Sequence, residues 1–249
     1  MLVLKIHGKD YLFKNEWKDI SIRDAINFIN VEQPPEHKEL IDILTQKGIK
    51  EYLRLYKKKS AAVKNKILPG YYRSLLKTLS DIPDEVLENI IPSEYELFYN
   101  SYIINLHLCL LVKDDLLHEN ITHFDFNGDR YYLPHVGRFV NGQAKYGIDM
   151  FTMQFTETAD LLVNADNLEN GYMESLPYMI AILCRKSSDE KYNEDEIMRR
   201  ADMFLDLNMD VAFSVNFFLL RCLRVLKPII PSFSQVETSK QVLQQQIPA

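Results

Sequence analysis

Neither GxxxxGK followed by Ser or Thr nor GxGxxG occurs in the 249 residues, so nucleotide binding through a glycine loop has no support. No GxSxG elbow is present, and no Cys or Ser is flanked by the motifs of known hydrolases. Cysteine is scarce: Cys109, Cys184 and Cys222 each lie inside an apolar run, with no CxxC pair. An odd, widely spaced set excludes a disulfide framework and a zinc knuckle, and reads as buried small hydrophobes. Long apolar runs are also missing. The most apolar stretch, Val211 to Leu226, is broken by Asn216, Arg221 and Arg224 before the roughly 18 to 20 clean residues a membrane span needs. It reads as a core helix. There is no excess of positive charge; the formal net charge of −6 argues against a dedicated nucleic-acid binder, whose affinity comes from neutralising phosphates.

What is present describes an ordinary folded chain. Apolar residues at 47% and charged residues at 26% exclude general disorder, and the length suits one large domain or two small ones. Tyr (14) and Phe (13) abound beside the single Trp17, a composition that leans toward interfaces, where one end of a tyrosine is buried and the other stays wet. The opening Met1 to Ile6 is too short an apolar segment for a signal peptide, so folding in a cytoplasm is expected.

Leu2, Leu4 and Ile6 alternate, His7-Gly8 offers a turn, and Tyr11-Leu12-Phe13 follows: a β-hairpin. A second hairpin is expected around Asn127-Gly128, within Phe124 to Leu133, because both residues tolerate the positive φ of a type I′ turn. The two glycines lie 120 residues apart and each hairpin precedes a helical region. Coincidence and internal duplication both remain open.

Between the hairpins the pattern is helical. Ser21 with Asp24 marks an N-cap leading into Ala25, Ile26, Phe28 and Ile29, which Pro34-Pro35 brings to an end. A second stretch runs from Glu36 to Tyr56 with a kink at Gly48. Pro69-Gly70 reads as a turn before a short helix, Tyr71 to Leu79, and Pro83 as a helix start. Ser93 to Glu96 has capping-box form, predicting a helix toward Val112, with a strand over 104–112 as the alternative. A long loop spans Pro134 to Ile148, and helices are expected near 155–168, 172–185, 194–206 and 209–226. The polar, glutamine-rich 232–249 reads as an extended arm or a disordered segment. The fold class expected is mainly α with two β-hairpins, an α+β chain with a helical bundle in each half: 1–116, 117–231 and the tail 232–249.

Candidate chemistry is thin. His118, His123, Asp125 and His135 cluster near the second hairpin but lack any ligand spacing such as HxxxH, so no metal site is expected. Asp114-Asp115, Glu157 with Asp160, and Glu194-Asp195-Glu196 fall where helix ends or solvated faces would put them. No catalytic residue and no cofactor is expected. The one basic stretch holds Lys47, Lys50, Arg54, Lys57, Lys58, Lys59, Lys64 and Lys66 against Glu51 alone, with Tyr52 and Tyr56 interleaved. It is either a solvated helix face or a contact for DNA or an acidic neighbour. Asn208 to Leu220 is apolar nearly all round, either a central core helix or one completed by another subunit.

Several segments then carry a family resemblance. Met173-Glu174-Ser175-Leu176-Pro177-Tyr178 through Arg185, Glu190 to Glu196 with Arg200, Ala201 and Phe204, and Leu207 to Ala212 resemble proteins encoded in the structural gene blocks of tailed phages infecting Bacteroidetes. So do the hairpin Phe126 to Pro134, Glu16 to Ile22, and Ile82 to Val86. Asn208 stands where such proteins more usually carry proline, and the tail after Pro231 has no counterpart. The resemblance implies a tail-assembly chaperone or a small neck or tail structural protein, and it carries no catalytic residues over.

The expectation is therefore a non-enzymatic virion protein, made in the host cytoplasm, that contacts other phage structural proteins and copies of itself. Tyr131, Tyr132, Phe139, Tyr146, Phe213 and Phe217 are its candidate subunit-interface residues, and the 136–150 loop and C-terminal arm would clasp neighbours. Lys50, Arg54, Lys57, Lys58, Lys59, Lys64 and Lys66 are candidate contacts for DNA or an acidic partner. A tail-assembly chaperone absent from the finished particle and a DNA-contacting accessory protein are the alternatives. No membrane association is expected.

Overall fold

The computed structural model describes residues 1–104, 121–134, 139–140, 143–144, 147, 153–187 and 191–216, which are mainly helical with small antiparallel hairpins. Strands β1 (Leu2–Ile6) and β2 (Lys9–Phe13) pair from Leu2 with Phe13 to Ile6 with Lys9. His7 (φ 49°) and Gly8 (φ 79°) form the turn, both left-handed as a two-residue hairpin loop demands. Alternation sends Leu4, Ile6 and Phe13 into the core and leaves Val3 and Leu12 in solvent.

Helix α1 (Ile22–Ile29) starts with a full capping box: the Asp24 amide donates to Ser21 Oγ (3.1 Å), and the Ser21 amide donates to the Asp24 carboxylate (2.9 Å). Helix α2 (Pro35–Lys47) opens on proline, whose missing N–H is an orphan there anyway. Gly48, at φ 79°, separates it from α3 (Ile49–Lys58), so the expected kink is a break between two helices.

Pro69-Gly70 is not a turn. Both lie at the beginning of α4 (Leu68–Leu79), which continues without interruption from a π-helical segment, Val63–Ile67; the wider i to i+5 bonding of that segment, the Leu68 amide donating to Val63 O, precedes the missing N–H of Pro69 within one helical run. After α5 (Asp84–Glu88), α6 (Pro92–Phe98) runs into a π-helical turn, Tyr99–Ile103. The Ser93 capping box does not form. Pro92 takes the first helical position, Ile91 becomes the cap, and the Ile91 amide donates to the Glu94 carboxylate (3.3 Å). Ile104 is helical; the remainder of 104–112 lies outside the described residues.

The second hairpin, β3 (His123–Phe126) and β4 (Asp129–Tyr132), turns at Asn127 (φ 51°) and Gly128 (φ 83°), matching the first. Within the expected loop, β5 (Phe139–Val140) and β6 (Gln143–Ala144) make a minimal ladder. Helices α7 (Phe155–Glu169), α8 (Ser175–Leu183), α9 (Glu194–Phe204) and α10 (209–216) follow; residues past 216, the polar tail included, lie outside the described residues.

Each hairpin is joined to a residue just beyond the end of a buried helix. Phe13 bridges Ser80 after α4, with the Lys14 amide donating to Leu79 O (2.8 Å). Tyr132 bridges Arg185 after α8, through reciprocal bonds of 2.7 and 3.2 Å.

Residues 20–23 of the first half and 205–209 of the second then run alongside one another. The amides of Ile22, Arg23 and Met209 donate to Leu207 O, Leu205 O and Ile20 O at 2.8 to 2.9 Å, around a Ser21–Asn208 bridge. Trp17 meets Phe213 edge-to-face across this seam (5.4 Å, 79°), and one apolar cluster extends from Leu4 to Val215.

Candidate functional site

The basic stretch divides once side chains are placed. Lys59 pairs with Glu39 and is largely covered; Lys64 donates to Lys57 O (2.9 Å) and lies over the Tyr56 ring; Arg54 pairs with Glu51 (2.8 Å). Lys47, Lys50, Lys57, Lys58 and Lys66 are exposed, and among the described residues no ion pair engages them. The interleaved tyrosines are not available for stacking on bases. Helical spacing turns them inward, where they stack on each other (6.3 Å, 11°); Tyr52 donates to Asn100 (3.4 Å) and Tyr56 to Glu96 (2.6 Å). Burial, and then the Glu96 charge, pushes the Tyr52 hydroxyl up to about 12. What α3 offers to solvent instead is cationic side chains beside exposed Ile49 and Leu53.

The candidate interface aromatics fare differently. Tyr131 is a core residue, 1% exposed, stacked on Phe124 (5.5 Å) and edge-on to Phe204 (5.0 Å), so it is not offered to a second subunit. Strand alternation explains it: Phe124 and Tyr131 are cross-strand partners on the inner face. Tyr132 is half-buried and tilted against His123 (6.1 Å). Phe213, also half-buried, packs on Trp17 of the same chain. Phe139 lies in β5, while Tyr146 and Phe217 are outside the described residues.

A buried polar cluster in the second half escaped sequence reasoning. Glu157, in the first turn of α7, accepts from the Gln154 amide (3.2 Å) as a helix-end carboxylate should. It is not solvated: it pairs with Arg185, the two side chains being 2% and 6% exposed. Burial raises the Glu157 pKa against the opposing pull of Arg185. Arg200 is also enclosed. It donates to Ala181 O (3.4 Å) and Cys184 O (3.1 Å), covering the C-terminal carbonyls of α8, and lies over the Tyr131 ring (5.8 Å). Cys184 is free and fully buried, which pushes its thiol up. Among sequence signals, only an arginine ending an apolar run, and another on the inner face of α9, hinted at this cluster.

In the first half His37 is buried among tyrosines. Its Nε2 lies 2.7 Å from the Tyr99 hydroxyl and its Nδ1 2.7 Å from Gln33, with Tyr71 and Tyr72 at 4.6 and 5.7 Å between ring centres.

Of the four residues weighed as metal ligands, His123 is exposed beside Thr122, and Asp125 forms a two-pronged pair with Arg130 (2.7 and 2.8 Å); His118 and His135 lie outside the described residues. Among the described residues no three His, Cys, Asp or Glu side chains converge as metal ligands, and no helix is long and apolar enough to cross a membrane. Asp160 accepts from the Tyr192 hydroxyl, Asp114-Asp115 lie outside the described residues, and Glu194 and Asp195 are exposed in the first turn of α9.

Comparison with protein-family models, with curated proteins and with solved structures finds no match.

Proposed function

We propose that the chain is a non-enzymatic structural or assembly protein of a tailed bacteriophage, housed in the neck or tail and working as a repeating subunit through protein contacts. The observation that carries this reading is the resemblance to phage structural-block proteins. Its segments supply the framework of the second half: β3–β4, α8 with its Tyr132 bridge, α9, and the 207–212 side of the seam. The conspicuous buried polar groups fit such a role, because Glu157, Arg185 and Arg200 are engaged in capping and pairing within the chain.

Quantitative mass spectrometry of purified particles tests the proposal. The protein should be recovered in fixed ratio to known neck or tail components. Its absence from particles, with recovery bound to the tape-measure protein in infected cells, would assign it instead as a tail-assembly chaperone.

The exposed cations Lys50, Lys57, Lys58 and Lys66 favour a second reading, contact with DNA phosphates. Its test is DNA retention at low salt by a Lys57→Glu, Lys58→Glu variant; unchanged retention removes it. Lys59 does not belong in that variant, being held by Glu39.

A further inference from the structure

Helices α3 and α9 carry one local pattern with opposite charge. In α3, Lys50, Leu53 and Lys57 follow at intervals of three and four residues; in α9, Asp195, Met198 and Asp202 do the same. Each helix sets a Glu–Arg ion pair at matching places inside the pattern, Glu51 with Arg54 (2.8 Å) and Glu196 with Arg199 (2.6 Å). Those internal pairs neutralise themselves. The residual charge of each stripe is then carried by its outer residues, two lysines on α3 and two aspartates on α9.

Both stripes face solvent. The opposite sides of the helices are anchored, α3 by Tyr52 and α9 by Ile197, Ala201 and Phe204. Leu53 is 48% exposed and Met198 50%, each an apolar side chain held out between like charges. No ion pair engages Lys50, Lys57, Asp195 or Asp202 among the described residues.

We propose that these stripes are the two halves of one contact: α3 of one copy docks on α9 of a second copy of this chain. The inference rests on reading the protein as a repeating subunit, and it names the surfaces that repeat. The charged ends of each stripe are seven residues apart, about 10.5 Å along a helix. Laid side by side, the stripes match two lysines to two aspartates around a Leu53–Met198 contact. Nucleic acid is the poorer occupant, since a phosphate backbone offers nothing to Leu53 or to Ile49, which is 59% exposed. Because the two stripes are different surfaces, the contact runs head to tail and closes as a ring, or reciprocally as a dimer. Exposed ion pairs are individually weak, so their chief effect is to select partner and register, and assembly should weaken with salt.

Charge reversal tests this with the full-length chain. Wild type should sediment as an oligomer at low salt and lighten as salt is raised. Lys50→Glu with Lys57→Glu makes both stripes acidic; Asp195→Lys with Asp202→Lys makes both basic. All four positions are exposed, so each variant should still fold, as circular dichroism would show; reversing Asp195 in the first turn of α9 and Lys57 in the last turn of α3 opposes the helix dipoles, so a slightly lower melting temperature is expected, while each variant alone should fall to monomer. Mixing the two variants one to one should restore the oligomer, because every acidic α3 then meets a basic α9 and the reverse.

A monomeric wild type, an oligomer untouched by either reversal, or a mixture that stays monomeric would overturn the proposal. So would loss of nucleic-acid binding in the Lys50→Glu, Lys57→Glu variant with no change in mass. The functional reading stands or falls separately: particles containing a protein that is monomeric in solution defeat the helix contact alone, whereas restored assembly of a protein absent from particles defeats the phage-component reading alone.

Discussion

Arg185 and Glu157 face each other inside the second half with both side chains closed off from water, one at the foot of the β4 bridge and the other in the first turn of α7. The pair therefore ties a hairpin and two helices together at one point. Each charge has its opposite inside the same dry place, and removing one member takes that compensation from the other.

Removing either partner should accordingly be severe. Glu157→Gln or Arg185→Met should each lower unfolding stability by about 3–5 kcal/mol, the usual penalty for breaking a buried pair. Glu157→Leu combined with Arg185→Met should recover most of that loss, since an apolar replacement of both leaves no orphaned charge. Urea denaturation of the single and double variants measures it; single variants within about 0.5 kcal/mol of wild type, the level of an ordinary surface change, would show that the pair is not a structural lock.

Trp17 against Phe213 gives the seam between the halves its own reporter, Trp17 being the chain's single tryptophan. Phe213→Ala should lower stability by about 1–2 kcal/mol, less than a fully buried phenylalanine because Phe213 is half-buried. Trp17 emission should shift to the red as water reaches the indole. A spectrum identical to wild type would mean that the ring contact is not populated in solution.

The features legible in the sequence were those whose causes are local. Asn127-Gly128 and His7-Gly8 announce left-handed turns and Ser21 with Asp24 announces a cap, each depending on residues no more than four apart; Gly48 announces a kink, where its positive φ in fact ends one helix and begins another. Pro69-Gly70 reads as a turn because both residues usually interrupt helices, whereas here a π-helical segment leads into them and the helix runs on through both. Tyr131 looked like an interface residue because composition cannot tell which face of a strand meets the core. The Glu157–Arg185 pair spans 28 residues and the Arg200 cap of α8 closes over 16, distances at which no periodicity speaks.

Gly147 is buried at φ +93°, and a Cβ added there would run into the backbone carbonyl of Leu133. Both conformation and space demand glycine at this place, where the loop passes the end of β4. Gly147→Ala should cost roughly 1–3 kcal/mol, combining left-handed strain with the clash. The loss should appear in thermal melts of the purified protein. An unchanged melting temperature would mean that the loop leaves Leu133 without penalty.

Asp24 provides the pH dependence whose sign is clearest. Burial alone would raise its carboxyl pKa, but hydrogen bonds from Lys14 Nζ (2.6 Å), the Ser21 amide (2.9 Å) and the Ser21 hydroxyl (2.8 Å) outweigh it, and the net shift is downward. A carboxyl whose pKa is lower folded than unfolded binds fewer protons in the native state, so its stabilisation is complete above the unfolded value of 3.8 and drains away as pH falls through the folded one. Near neutrality Asp24→Asn should therefore lose about 1 kcal/mol, the scale of a helix cap with one charged partner. The gap between variant and wild type should hold constant down to about pH 5 and close progressively below the ordinary aspartate range. Denaturant titrations at stepped pH read that gap directly, and one that widened on acidification would reverse the assigned sign and with it the role of Asp24 as the anionic half of the α1 cap.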